Sequence, residues 1–181
     1  MIWDDFLNSM WRDWRGSGRS EDRLESPEWI GQWLSKHSLT APHLPSPQEM
    51  VELKKLRDLL LRIVQACAAG SQPDPEDLGE LNRVMANGPV VRQIVRTDER
   101  YRLDCVPTLF GWTQIGAEIA ASFAQTLADK DPARMRICSN PDCLWVYYDD
   151  TRNRSKRYCD DKLCGNLMKV RRFRARKKAG D

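Results

Sequence analysis

Four of the chain's six cysteines stand at Cys138, Cys143, Cys159 and Cys164, as two close pairs with four residues inside each pair and fifteen between the pairs. No other feature constrains the fold as strongly, because two pairs of thiolates joined by one loop are what a tetrahedral Zn²⁺ site with four sulfur ligands requires. A tight turn brings both sulfurs of a pair to one ion, and Asn140, Pro141 and Asp142 are turn formers for the first knuckle. Between the pairs, LWVYY reads as a strand, DDTRN as a turn and RSKRY as a returning strand, while the basic stretch GNLMKVRRFRARKK after Cys164 reads as a helix. Knuckle, hairpin and helix, with the last ligand at the helix start, describe a treble-clef-like zinc finger with four cysteine ligands that holds one structural zinc ion.

Other uses of these cysteines fit less well. Disulfides need an oxidising compartment, and a redox pair prefers two intervening residues with accessible thiols. A catalytic zinc keeps an open coordination position, whereas four cysteines close the site. The two histidines, His37 and His43, lie far away in sequence. Cys67 and Cys105 sit in apolar contexts and are expected to be buried small hydrophobes.

The net charge of +3 conceals a division. From Arg134 to Asp181 there are fourteen Lys and Arg against six Asp, a net of +8, whereas the preceding residues carry fifteen against twenty, a net of −5. An acidic body, residues 1–133, is followed by a basic module, residues 134–181, which suggests a polyanionic partner for the C-terminal quarter alone. No apolar run approaches the ~20 residues of a membrane helix, and MIWDDFLNSM carries aspartates where a signal peptide is basic and then apolar. The expectation is a cytoplasmic protein without a membrane partner.

The body is expected to be mainly helical, giving a mainly α fold with small β-hairpins. Ser26 caps and Pro27 opens a helix with Trp29, Ile30, Trp33 and Leu34 on one face. Ser46, Pro47 and Glu49 open a second, with a capping box, and Gly70 ends it; its stripe is Leu53, Leu56, Leu60, Ile63, Val64 and Cys67. A third helix fits Asp74 to Asn87. VVRQIVR and RYRLDCV flank TDE as a hairpin over Val90 to Val106, and a long apolar helix follows from Thr108.

From Cys138 to Lys178 the sequence resembles the C-terminal zinc finger of the CGNR family, whose N-terminal part is the ABATE domain. The resemblance rests on CSNPDC, on Asp149, Arg152, Asn153, Ser155 and Arg157 of the turn, on CGN at Cys164 to Asn166, and on KVRRFRARKK. In the body, DFLNS at Asp5 to Ser9 is similar to a family motif, and RLESPEWIGQWL and LKKLRDLLLRIV fall in the family's order. Leu167 stands where the family's namesake arginine is, and the chain begins at the motif without the residues that usually precede it. The resemblance implies a stress-induced bacterial transcriptional regulator that binds DNA through its finger.

Candidate nucleic-acid contacts are Arg152, Arg154 and Lys156 on the turn, and Lys169, Arg171, Arg172, Arg174 and Arg176 on the helix. On a helical wheel Leu163, Leu167 and Val170 share a side that would pack on the hairpin, with Lys169, Arg172 and Arg176 opposite. Four thiolates and one Zn²⁺ sum to −2, so Arg136, Arg157 and Lys162 are candidates for local neutralisation; a solvated charge run is the other bland reading. The resemblance favours DNA over RNA, and an RNA-binding or protein-interaction module is the alternative. In the body, Asp5, Asn8 and Arg23 are candidates for a ligand pocket, set against the plainer reading of helix caps and a surface ion pair. The tryptophans, with Trp3, Trp11 and Trp14 crowded near the start, offer a surface for a homodimer or partner. No Ser-His-Asp or Cys-His arrangement, phosphate loop or dinucleotide motif occurs, so no enzyme is expected.

Overall fold

Ser26 and Ser46 start their helices as the sequence predicts: the Ser26 hydroxyl accepts from Trp29 N–H, and Ser46 and Glu49 complete a reciprocal capping box. The computed structural model describes residues 1–180; Asp181, the end of the basic module, lies outside the described residues. Helix α1 (Ile2–Leu7) leads into an antiparallel pair, β1 (Met10–Arg12) and β2 (Ser20–Asp22). Then come α2 (Pro27–Lys36), α3 (Pro47–Ala68) and α4 (Pro75–Ala86). The hairpin β3 (Val90–Arg96) and β4 (Tyr101–Pro107) precedes α5 (Trp112–Asp129). A last pair, β5 (Met135–Ile137) and β6 (Val146–Tyr148), and the terminal α6 (Asn166–Ala179) complete the chain. The fold is mainly α with small two-stranded sheets.

Helix α3 is the axis of the core. Its stripe of Leu53, Leu56, Leu60, Ile63, Val64 and Cys67, joined by Leu59, is buried against Ile115, Ile119 and Phe123 of α5 and Trp3 and Phe6 of α1. Each fully buried aliphatic side chain there contributes about 1.5–3 kcal/mol of transfer free energy. Gly70, at φ +76°, supplies the left-handed residue that ends α3. Arg57, also buried, makes a bidentate pair with Asp22 at 2.6 and 2.7 Å and bonds the Ser9 hydroxyl at 2.8 Å, tying β2 to α3. Burial raises the Asp22 carboxyl, but its hydrogen bonds and attraction to Arg57 outweigh that and hold it below the usual range.

Several expectations need correction. The finger's hairpin does not pair LWVYY with RSKRY: β6 pairs instead with β5, the strand before Cys138, so the two strands bracket the first knuckle. The reason is apolar burial. Met135 and Val146 enter the main core, whereas RSKRY has too little apolar surface to be drawn into a sheet. Helix α5 begins at Trp112 rather than Thr108, because Gly111, at φ +118°, lies outside the helical region. Cys105 is exposed on β4, while Cys67 is buried as expected. Of the crowded tryptophans, Trp3 is no part of a surface: it is buried, with its indole N–H on the Thr126 hydroxyl at 2.9 Å and its ring edge-on to Phe123, whereas Trp11 and the cluster-packed Trp14 are partly exposed.

Candidate metal centre and nucleic-acid interface

The first knuckle is built by Asn140. Its carbonyl accepts from Cys143 N–H at 3.0 Å and its side-chain oxygen from Asp142 N–H at 3.3 Å, closing the turn between the first two cysteines. At the second knuckle the Asp160 carboxylate caps Leu163 N–H at 2.8 Å, opening one π-type turn over Asp161–Gly165 that delivers Cys164. The four sulfurs of Cys138, Cys143, Cys159 and Cys164 lie within 4.8 Å of one another, and all but that of Cys159 belong to buried residues. Zinc–sulfur bonds of about 2.3 Å in a tetrahedron place sulfurs about 3.8 Å apart. Cys143 and Cys159 are 3.7 Å apart and Cys159 and Cys164 3.9 Å, so the donor set fits one Zn²⁺.

The thiol chemistry agrees. Hydrogen bonds from Cys143 and then Cys159 pull the Cys138 thiol down to about 2. The contact with Cys138 pushes Cys143 up to about 12, and Cys138 and Cys143 together push Cys159 far above the ordinary thiol range. Cys143 and Cys159, pushed up in this way, must lose their protons to ligate a dication, so metal binding releases protons and weakens as pH falls. The Asn140 amide also donates toward Cys164 Sγ at 3.4 Å and to Trp14 O at 2.8 Å, so one buried side chain orients a ligand and joins it to the body.

Two further contacts join the cluster to the body. Asn8 uses both ends of its amide on one residue: Nδ2 donates to Val146 O and Oδ1 accepts from Val146 N–H, each at 2.8 Å. Arg171 pairs with Asp142 at 2.5 Å and donates to Arg15 O at 2.9 Å. Gly16, at φ +90°, makes room for that pair, since a Cβ there would lie 2.6 Å from the Arg171 guanidinium.

The turn after β6 is organised by Asp149, which is fully buried. Its carboxylate accepts from Thr151 N–H at 3.0 Å, the Thr151 hydroxyl at 2.5 Å and Lys156 N–H at 3.1 Å. Burial raises this carboxyl, but the Thr151 and Lys156 hydrogen bonds, with Arg136 nearby, outweigh that and lower it. Arg136, Arg154, Lys156 and Arg157 line one cleft of about 330 Å³ beside Tyr147. Arg136 and Arg157, read from sequence only as neutralisers of the metal, thus stand with the candidate contacts Arg154 and Lys156.

The structure separates the eight candidate cations. Arg171 is half-buried and engaged, Arg154 pairs with Asp131 at 2.8 Å, and Lys156 sits over the Tyr147 ring at 5.2 Å. Arg152, Lys169, Arg172, Arg174 and Arg176 are exposed, and among the described residues they form no ion pair with a carboxylate. Helix α6 is anchored differently from the wheel: Met168 and Arg171 face the cluster, whereas Leu163 and Val170 are exposed. Beyond Arg171 it is exposed on every side.

Asp5, Asn8 and Arg23 line one cleft with Trp29, Trp33 and Trp145. Asp5 pairs there with Lys36 at 2.5 Å and His37 at 2.8 Å; burial raises its carboxyl, but these partners lower it on balance. Arg23 lies over the Trp11 ring at 5.7 Å. Sequence reasoning read Asn140 as a turn former of the first knuckle but not as a partner of Cys164 and Trp14 O, and it did not single out the roles of Arg57 and Asp149, although Asp149 lies within a quoted motif.

No helix among the described residues is long and apolar enough to cross a membrane. No curated protein matches the chain significantly. The family model for ABATE, described as "Putative stress-induced transcription regulator", matches residues 2–130, and that of the CGNR zinc finger matches residues 134–177. Both are regulator or zinc-finger types, not enzyme families. With most of its length matched by the first and its cysteine cluster inside the second, the chain belongs to the ABATE family and carries a CGNR zinc finger that binds one zinc ion.

Proposed function

We propose that the protein is a cytoplasmic, non-catalytic transcriptional regulator in which residues 134–181 bind DNA and residues 1–133 form the controlling body. The observation that carries this reading is α6: a basic helix whose first turns are fixed to the metal cluster by Met168 and Arg171, and whose outer part displays Lys169, Arg172, Arg174 and Arg176 to solvent. At 1.5 Å per residue its fourteen residues span about 21 Å, enough to lie along or enter a major groove. Arg152 and the cleft of Arg136, Arg154, Lys156 and Arg157 offer a second phosphate contact on the same module. Reduced thiolate ligands suit the cytoplasm. The test is binding of duplex DNA and structured RNA by the zinc-loaded chain, with Lys169, Arg172 and Arg176 together replaced by Ala. Loss of duplex affinity with zinc retained supports the reading; tighter binding of RNA, or unchanged duplex affinity, turns it to the RNA or protein-interaction alternative.

A second reading concerns the body. Trp33 lines the cleft with Asp5, Asn8 and Arg23, and its indole N–H is buried without an acceptor. A buried donor left unpaired is costly, and with Arg23 and Lys36 beside it and Trp29 stacked on Trp33 the cleft suits a planar carboxylate. Benzoate and related aromatic carboxylates should raise the melting temperature of the full chain and fail to do so after Trp33→Phe; no shift with the unmodified chain rejects this ligand class.

A further inference from the structure

The β3–β4 hairpin is the least covered element of the fold. Every residue of both strands is exposed except Asp104, and Ile94, Leu103 and Tyr101 are 73%, 65% and 69% exposed. Ile94 lies directly opposite Leu103 on one face, with Val90 and Tyr101 along it. An isolated two-stranded hairpin is marginal in water and becomes stable when further strands extend it. Its open edges are templates for such pairing.

We propose that this hairpin is a homodimerisation element, in which the β4 strands of two copies pair antiparallel about Leu103 to form a four-stranded sheet. Backbone direction allows it. Thr97 N–H donates to Arg100 O at the turn and Thr108 N–H to Pro89 O at the base. By the alternation of an antiparallel ladder, Tyr101, Leu103 and Cys105 therefore point their free N–H and C=O groups outward. A two-fold axis at Leu103 lets the two Leu103 residues exchange both hydrogen bonds, and Tyr101 and Cys105 pair across the axis in the same way.

Charge selects the edge and the register. In this register Arg102 of each copy stands opposite Asp104 of the other, in non-hydrogen-bonded pairs where side chains approach most closely. Shifting the axis by one residue to Asp104 sets two carboxylates face to face. Pairing through β3 collects Arg92 and Arg96 from both copies with no carboxylate on that strand. The β4 edge is thus self-complementary, as a two-fold interface demands, and it joins Leu103 and Ile94 of both copies into one apolar row. This assignment is independent of what α6 binds.

The test is sedimentation of the full zinc-loaded chain over a micromolar concentration series. The unmodified chain is expected to dimerise. Arg102→Asp and Asp104→Arg, each alone, put like charges opposite one another twice and should weaken the dimer at least tenfold. An equimolar mixture of the two variants should restore it, because each mixed pair meets opposite charge across both contacts while the pair within each hairpin, Arg102 with Asp104 at 2.6 Å, stays broken. Leu103→Arg should give monomers with unchanged helical signal. A monomeric unmodified chain, single variants that still dimerise, or a mixture that stays monomeric would each overturn the proposal; a monomer whose hairpin amides resist hydrogen exchange would assign the edge to another occupant.

Discussion

Removing the Asn8 amide tests how firmly the body grips the metal module. Asn8 is 6% exposed and makes two 2.8 Å hydrogen bonds to Val146, a residue 138 positions away in sequence. Asn8→Ala deletes both and leaves the Val146 N–H and C=O facing a small void. Each buried group left unpaired costs about 1–3 kcal/mol, and because Asn8 borders the cleft near Trp145 water can reach part of the gap. The net loss should be about 2–4 kcal/mol, a shift in melting temperature of roughly 5–12 °C for a chain of this size. The assay is urea unfolding of the zinc-loaded chain, followed by helical circular dichroism and by zinc release to a chromophoric chelator; both transitions should move to lower urea. Asn8→Asp adds a signed control. An ionised carboxylate accepts from Val146 N–H but repels Val146 O, while the protonated acid donates to it, so folding raises the pKa of the new carboxyl. The variant's deficit relative to the unmodified chain should then be largest above that raised pKa and shrink as pH falls through it toward the ordinary Asp value. A change below about 0.5 kcal/mol for Asn8→Ala, within ordinary surface effects, would refute the reasoning.

Replacement of Cys159 by Ser should abolish stoichiometric zinc in metal analysis, and retention of a full equivalent would remove that residue from the ligand set. Asp149→Asn should cost about 1–3 kcal/mol at neutral pH, because an amide can no longer accept from both Thr151 and Lys156. Since the carboxyl is lowered on folding, its stabilisation is present above the ordinary Asp pKa of 3.8 and lost as pH falls through the lowered value, so the variant should show a shallower acid decline in thermal melts. If the five unpaired exposed cations Arg152, Lys169, Arg172, Arg174 and Arg176 meet phosphates, log affinity for duplex DNA should fall with log salt at a slope of roughly −4 to −5, and the Lys169, Arg172 and Arg176 triple substitution should flatten it by about 3.

The cysteine spacing made the metal centre legible because ligand chemistry acts over short, fixed intervals that a sequence displays directly. The helix starts at Ser26 and Ser46 were legible for the same reason: an N-cap and its partner lie three residues apart. The β5–β6 pairing was not. It depends on Met135 and Val146 finding a core built from α1, α3 and α5, and no local pattern in LWVYY distinguishes a partner before Cys138 from one after Cys143. Arg171 shows the same limit from the other side, since its charge is plain in sequence but its engagement with Asp142 and Arg15 O depends on Gly16, 155 positions earlier. Cys105 looked apolar by neighbourhood, yet VVRQIVR and RYRLDCV carry apolar residues on both faces and the body covers neither.

Hydrogen bonds join body and finger at three places. Asn8 holds β6 next to Cys143, Asn140 holds the first knuckle to Trp14 O and bonds Cys164, and Arg171 holds α6 to Arg15 O. Trp14 and Arg15 belong to the loop between β1 and β2, and β2 is clamped to α3 by Arg57 and Asp22. Asn8 is thus the direct hydrogen-bonded link between α1, beside the Asp5 and Trp33 cleft, and the strand that follows Cys143. The Asn8 and Arg171 contacts differ in kind. Asn8 reads backbone and has no charge to be screened, whereas Arg171 joins an ion pair with Asp142 inside the module to a hydrogen bond with Arg15 O, so salt should weaken the Asp142 pair while leaving the β6 clasp intact. On the proposed function, polyanion binding and body contact would compete for the same basic helix, where Arg171 already has Asp142 and Arg15 O as partners to lose.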